Sequence, residues 1–302
     1  MSDERRSRSE PTAQRLDVRK TYKLYIGGAF PRSESGRSYP VTSAKGDLLA
    51  HAAQASRKDV RDAVVAARSA FGKWSTATAY NRGQVLYRVA EMLEGRREQF
   101  AAEVAAAEGT TPKRAAAQVD EAIDRWVYYA GWTDKYAQVV GSTNPVAGPY
   151  FNFTLPEPTG VVAVLAPQDS SLLGLISVLA PVLTTGNTAV VVASQQHPLP
   201  AVSLTEVLAT SDLPGGVVNL LTGFTDELAP WLAGHRDVNA IDLTGAALAA
   251  RAELQVKAAD SVKRVYVPRS APGTSDDWSA EPGLSRLNAF VETKTVWHPI
   301  GV

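Results

Sequence analysis

Two side-chain types that often carry reaction chemistry are scarce or missing in these 302 residues: there are four histidines and no cysteine. That excludes disulfides, thiolate metal sites and a thiol nucleophile within the chain. A serine or threonine in its place would need a dedicated base before it could attack a carbonyl. The four histidines (His51, His197, His235, His298) stand far apart, without the short spacings of a metal site. Asp276-Asp277 falls in a Pro/Ser/Gly/Asp-rich stretch and is expected to be solvated. Gly215-Gly216 follows Pro214 and precedes an apolar run, so it reads as a turn and not a phosphate loop. What remains is a set of short polar clusters at the ends of apolar runs: Pro167-Gln168-Asp169, Ser194-Gln195, Gly223-Phe224-Thr225 and Thr244-Gly245. Where such a cluster opens a helix, its free backbone amides and the helix dipole suit an anion.

The elements that must position these clusters are legible. Gly160 to Ala166 is a continuous apolar run, as a strand buried on both faces requires, and Asn187 to Val192, Val217 to Leu221, Ala240 to Leu243 and Lys263 to Val267 read as further strands. Between them, Ser171 to Thr185, Leu199 to Ala209, Asp226 to Ala233 and a segment ending near Ala259 read as helices. Strict alternation of strand and helix predicts right-handed βαβ units and a doubly wound parallel sheet, an α/β fold. Upstream, the alternation of Tyr22 to Phe30 ending at Gly27-Gly28 predicts a short hairpin. Ser56 and Asp59 can cap a helix through Phe71; further helices are expected over Asn81 to Leu93, Glu98 to Glu108 and Lys113 to Val140. Val139–Gly141 and Tyr150–Leu155 read as two strands joined by a turn. Pro268 to Arg286 reads as linker and Phe290 to Trp297 as a final strand.

The composition is globular, 45% hydrophobic and 21% charged, with a formal net charge of zero that gives no reason to expect nucleic acid or an anionic membrane as partner. The longest apolar run, Leu172 to Leu183, is broken by Gly174, Ser177 and Pro181 and is too short to span a bilayer. Residues 1–20 are basic and polar with interspersed acids and no apolar core, so a disordered tail is expected and not a secretory or transit segment. A chain of this size without disulfides suits the cytoplasm.

Several segments carry a family resemblance: Leu24-Tyr25-Ile26-Gly27-Gly28, Tyr128-Tyr129-Ala130-Gly131, Glu157-Pro158-Thr159-Gly160-Val161-Val162, Leu179 to Thr188, Leu213 to Asn219 and Leu243-Thr244-Gly245. In this order they resemble the first half of an NAD(P)-dependent aldehyde dehydrogenase. Lys20 to Tyr39 looks most like the family-16 branch, some members of which carry a second, degenerate dehydrogenase module. The resemblance implies a Rossmann-like cofactor domain over 21–267, an oligomerisation arm built from a hairpin at about 139–155, and a last strand at 288–302. The catalytic domain, roughly 200 residues in such enzymes, is replaced by the linker 268–287.

The resemblance also assigns each cluster a role, and the sequence departs from each. The cysteine nucleophile is absent. The family's Pro-Trp-Asn, whose amide stabilises the oxyanion, reads Pro167-Gln168-Asp169; an ionised Asp169 accepts only and would repel a developing oxyanion. The glutamate base motif reads Val267-Pro268-Arg269-Ser270. The Lys-Pro-Ser-Glu turn that holds the adenosine ribose reads Val192-Ala193-Ser194-Gln195, so the lysine is lost while Gln195 can still hydrogen-bond. Gly-Phe-Gly reads Gly223-Phe224-Thr225, and Thr-Gly-Ser reads Thr244-Gly245-Ala246. Pro167, Gln168, Ser194, Gln195, Gly223, Thr244 and Gly245 are therefore expected as vestigial cofactor-site residues, with Gly223 and Gly245 explained first by turn chemistry. No cofactor is expected beyond weak NAD(P), no metal, and no catalytic residue.

The resulting expectation is a catalytically inactive subunit that assembles with a full-length aldehyde dehydrogenase paralogue through the arm and the strand Asn288 to Trp297. In the family that strand adds to the edge of a partner's catalytic sheet, a sheet this chain has no means to offer in return. Two alternatives stand beside it: a residual NAD-sensing module, and an oxidoreductase active only within a hetero-oligomer.

Overall fold

The computed structural model describes residues 19–268 and 276–301. The expected tail up to residue 18, Arg269-Ser270 at the base position and the linker through residue 275 lie outside the described residues.

The chain opens on β1 (Thr21–Tyr22), β2 (Ser38–Thr42) and β3 (Leu48–Ala53), a small sheet in the order β1-β3-β2. The hairpin start is present in miniature. Gly27 and Gly28 take φ of 62° and 85°, Ile26 and Ala29 exchange backbone hydrogen bonds, and Tyr25 bridges to Leu220. The sequence reading assigns neither β2 nor β3. Leu-Leu-Ala-His-Ala-Ala is mostly helix formers and Ser-Tyr-Pro-Val-Thr contains a proline, so pairing and not propensity sets their conformation.

Helix α1 (Arg57–Thr76) starts with the capping box its sequence announces. Ser56 Oγ accepts from the amides of Lys58 and Asp59, and the Asp59 carboxylate accepts from the Ser56 amide. Then follow α2 (Ala79–Glu94), α3 (Arg97–Glu108) and α4 (Pro112–Trp132). α4 stops earlier than expected, because the Thr133 amide and hydroxyl both close onto the Ala130 carbonyl. The chain then makes a separate turn, α5 (Tyr136–Val140). Val139 and Val140, expected to begin the arm, are thus helical, and its strands are β4 (Ser142–Asn144) and β5 (Tyr150–Pro158).

The second half alternates: β6 (Val161–Leu165), α6 (Leu173–Thr184), β7 (Thr188–Val192), α7 (Leu199–Ala209), β8 (Val218–Leu221), α8 (Thr225–Gly234), β9 (Ala240–Asp242), α9 (Leu248–Ala259) and β10 (Arg264–Tyr266). These strands form one parallel sheet in the order β10-β9-β6-β7-β8. Its apolar runs serve both faces. Val162 and Val164 enter the core with α4, α6 and α7, while Val161, Ala163 and Leu165 enter the core with α1, α8 and α9.

The described remainder of the expected linker is ordered and packed. It carries α10 (Ser285–Ala289), and Leu287 and Phe290 are fully buried in the α4–α6 core. Arg125 donates to the carbonyls of Trp278 (2.6 Å) and Ala280 (3.1 Å), and Tyr128 to that of Pro282 (2.8 Å). Chain 276–290 therefore lies as a strap over the body. β11 (Val291–Pro299) then pairs antiparallel with β5 from Val291↔Pro158 to Pro299↔Tyr150, completing an arm sheet in the order β11-β5-β4.

Candidate functional site

The strand order reverses direction at β6: β7 lies on one side and β9 on the other. Open α/β sheets bind ligands in the crevice outside the strand carboxyl ends at such a switch point. Here the crevice holds 370 Å³ and collects six of the predicted residues: Pro167, Gln168, Asp169, Gln195, Thr244 and Gly245. Ser194 and Gly223 do not line it. Ser194 is buried beneath, donating to the Gln168 carbonyl (3.0 Å). Gly223 takes φ 143° at the foot of α8, where a side chain would press on the Ala55 amide. Gly245 has an equally structural reason to be glycine: a Cβ there would overlap the Ala166 carbonyl oxygen, and its amide donates to Leu165 (2.8 Å). Gln168 is fully engaged, its Nε2 donating to Ala166 and its Oε1 accepting the Gln195 amide (both 2.9 Å).

The strongest local electrostatic feature was not anticipated. Asp242, at the end of β9, is completely buried, and Arg286 of α10 reaches it from the strap with Nη1 at 2.6 Å from Oδ2. The same guanidinium lies over the rings of Tyr266 (4.5 Å) and Trp278 (5.7 Å). Thr244 donates its amide (2.9 Å) and its hydroxyl (2.5 Å) to the other carboxylate oxygen, and Arg286 Nη2 bonds Thr244 Oγ1 at 3.2 Å. Burial pushes the Asp242 carboxyl above its ordinary range, against the pull of Arg286 and Thr244. A signal existed: a carboxylate inside the apolar run Ala240-Ile241-Asp242-Leu243 demands a buried cation. The partner, 44 residues downstream, could not be named without the fold.

The strap also walls the crevice. Asp276, expected in solvent, lines it and lies 4.0 Å from Arg286, while Asp277 accepts from the amide and hydroxyl of Ser279. Trp278 stands between this crevice and a second of 410 Å³ lined by Arg125, Tyr129, Tyr266 and Arg286.

The residues present do not fit a nicotinamide dinucleotide. Val192, which the resemblance puts at the ribose position, is fully buried and its side chain has no donor. The Thr244 donors that would face a pyrophosphate bind Asp242, an anion supplied by the chain itself. Among the described residues Asp169, Asp226 and Asp276 line the crevice against one cation, Arg251, and the first turn of α8 carries Asp226 and Glu227. Thr225 Oγ1, at that helix start, is buried and has no hydrogen-bond partner among the described residues. No histidine among the described residues lines the crevice; His197, which follows the lining residue Gln196, is half-buried and shifted down by desolvation. Among the described residues no group of three or more His, Asp or Glu could hold a metal ion.

Residues 30–269 match the sequence model of the Aldehyde dehydrogenase family. Curated relatives include a putative aldehyde dehydrogenase of Bacillus subtilis, 34% identical over 81% of this chain and 50% of its own length, and the mitochondrial benzaldehyde dehydrogenase of Antirrhinum majus, 33% identical over 80% and 46%. The chain spans about half the length of the curated relatives it matches. Among solved structures, an aldehyde dehydrogenase of Bacillus cereus determined as an NAD+ complex superposes with a TM-score of 0.76 at 29% identity, covering 82% of this chain and 50% of that one. An NAD-dependent aldehyde dehydrogenase of Sinorhizobium meliloti gives 0.75 at 26% identity.

Proposed function

Because the chain belongs to the aldehyde dehydrogenase family, we propose that it is a catalytically silent member whose role is assembly: it joins a full-length paralogue through its arm. The observation that carries this reading is a complete three-stranded arm on a chain with no cysteine. Thiohemiacetal chemistry needs a thiolate, an oxyanion donor and a base; at the oxyanion position stands a carboxylate, Asp169. The closed Asp242–Thr244–Arg286 cluster adds to this, since it holds as structure the donors that a cofactor would require.

The arm supplies the attachment. One edge of β11 is taken by β5, while the outer edges of β11 and β4 have no strand beside them among the described residues. The sheet exposes Tyr150, Phe151, Leu155 and Trp297, a run of apolar area unusual for an unpartnered two-edged sheet. A full-length paralogue offers a sheet edge that this chain lacks, so strand addition would run from this chain to the partner without reciprocation. In this reading the protein resembles the silent second module of the family-16 branch, and it scaffolds or tunes the complete enzyme.

The test is co-expression with a full-length paralogue, comparing the intact chain with one ending at Val291. Leu287 and Phe290 are core residues, so the cut must fall after them. Loss of co-purification on removing β11 supports strand donation; unchanged recovery of both chains refutes it. A Trp297→Glu variant, which leaves the backbone pairing intact, separates loss of surface from loss of fold.

A further inference from the structure

On the α1, α8 and α9 side of the molecule lies a cleft of 580 Å³ that shares no lining residue with the switch-point crevice. Arg57, Arg61, Arg236 and Lys257 line it against one carboxylate, Asp260, around the ring of Trp231. The chain as a whole has zero net charge, so this accumulation is local and not a reflection of composition.

Helix electrostatics explain only part of it. Arg236 follows the end of α8 and Lys257 sits in the last turn of α9, where cations complement the dipole. Arg57 and Arg61 do the opposite: they occupy the first turns of α1, whose amino terminus is already positive. Lys58, beside them, is compensated by Glu34 at 3.0 Å. Arg57 and Arg236 have no carboxylate partner among the described residues. Among the described residues the Arg57 head group makes no ion pair and lies over the Trp231 ring, 4.1 Å from its centroid. Arg61 and Lys257 hold only exposed pairs, with Asp62 (2.8 Å) and Glu253 (3.4 Å), and such pairs are easily exchanged. Trp231 itself stays 45% exposed, with the Arg57 guanidinium over its ring.

We propose that this cleft binds a phosphate-bearing aromatic ligand the size of a nucleoside monophosphate, its ring against Trp231 and its phosphate held by Arg57, Arg61 and Arg236. Guanidinium forks match phosphate oxygens, an indole offers its face to any planar ring, and the volume is that of an ordinary small-molecule site.

Calorimetry on the intact chain with adenosine monophosphate, and separately with inorganic phosphate, tests this. The nucleotide should bind at submillimolar concentration and weaken with added salt. Arg57→Glu and Arg236→Glu should each weaken it by about tenfold or more. Trp231→Leu should erase the preference for nucleotide over phosphate. All three side chains are exposed, so unchanged melting temperatures will certify the variants' folds. No heat at millimolar nucleotide overturns the proposal. So does binding that survives Arg57→Glu/Arg236→Glu but is lost in Arg251→Glu, which would put the ligand in the switch-point crevice. Phosphate binding as tight as nucleotide binding, indifferent to Trp231→Leu, overturns the aromatic half.

Discussion

Replacing Arg286 by leucine removes the one cation that, among the described residues, pairs with a carboxylate that water cannot reach. Asp242 Oδ2 then has no donor, while Oδ1 keeps the Thr244 amide and hydroxyl. Breaking a buried pair by deleting one member costs about 3–5 kcal/mol, because the remaining charge is uncompensated. The folded protein has a cheaper escape, protonation of Asp242. At about 1.4 kcal/mol per pH unit above an unfolded pKa near 3.8, that route limits the penalty to about 4 kcal/mol at pH 7 and under 2 kcal/mol at pH 5. The direction follows from the wild type, where the folded Asp242 carboxyl already lies above its ordinary value. A raised carboxylate contributes most favourably below its unfolded pKa, and that contribution is lost as pH rises through the folded value. In Arg286→Leu the folded value climbs further, so the gap to wild type widens between pH 5 and pH 7. Urea unfolding of both proteins at the two pH values reads this directly. The double variant Asp242→Ala/Arg286→Leu should recover most of the loss and show no such pH dependence. A penalty below about 1 kcal/mol at pH 7, a penalty equal at both pH values, or a double variant as unstable as the sum of the singles would refute the reasoning.

Three further outcomes are expected. NAD+ at millimolar concentration should leave the melting temperature unchanged, and the purified chain should form no NADH with any aldehyde; Asp169→Asn should not restore turnover, since no thiol is present. Gly245→Ala should destabilise the fold by about 3 kcal/mol in urea titration, because the new methyl group overlaps the Ala166 carbonyl; a neutral result would return Gly245 to a ligand-binding role. Ser56→Ala should lower stability by about 1 kcal/mol through loss of the α1 cap.

Much of the sheet could be read in advance because its strands are buried on both faces. Continuous apolar runs such as Gly160 to Ala166 leave little alternative, and α7 falls on the residues its pattern marks. The capping box at Ser56 and Asp59 is a purely local signal and was legible for the same reason. β3 was not, since Ala-rich strands differ from helices only through their partners. Nor was the strap, whose Pro, Gly and Ser content reads as linker. It is ordered by contacts that no local pattern encodes, such as the Tyr136 hydroxyl on Asn288 (2.8 Å) and Phe290 in the α4–α6 core. The clusters at the switch point were found because strand ends are predictable. The ion pair that dominates them joins β9 to α10 and needed the fold to be seen.

Assembly with a complete dehydrogenase, the role proposed for this chain, is tested most directly by native mass spectrometry after co-expression with a full-length paralogue. The account predicts a single assembly containing both chains, which loses this one when β11 is removed. Two separate populations, each chain found only with itself or alone, would contradict it.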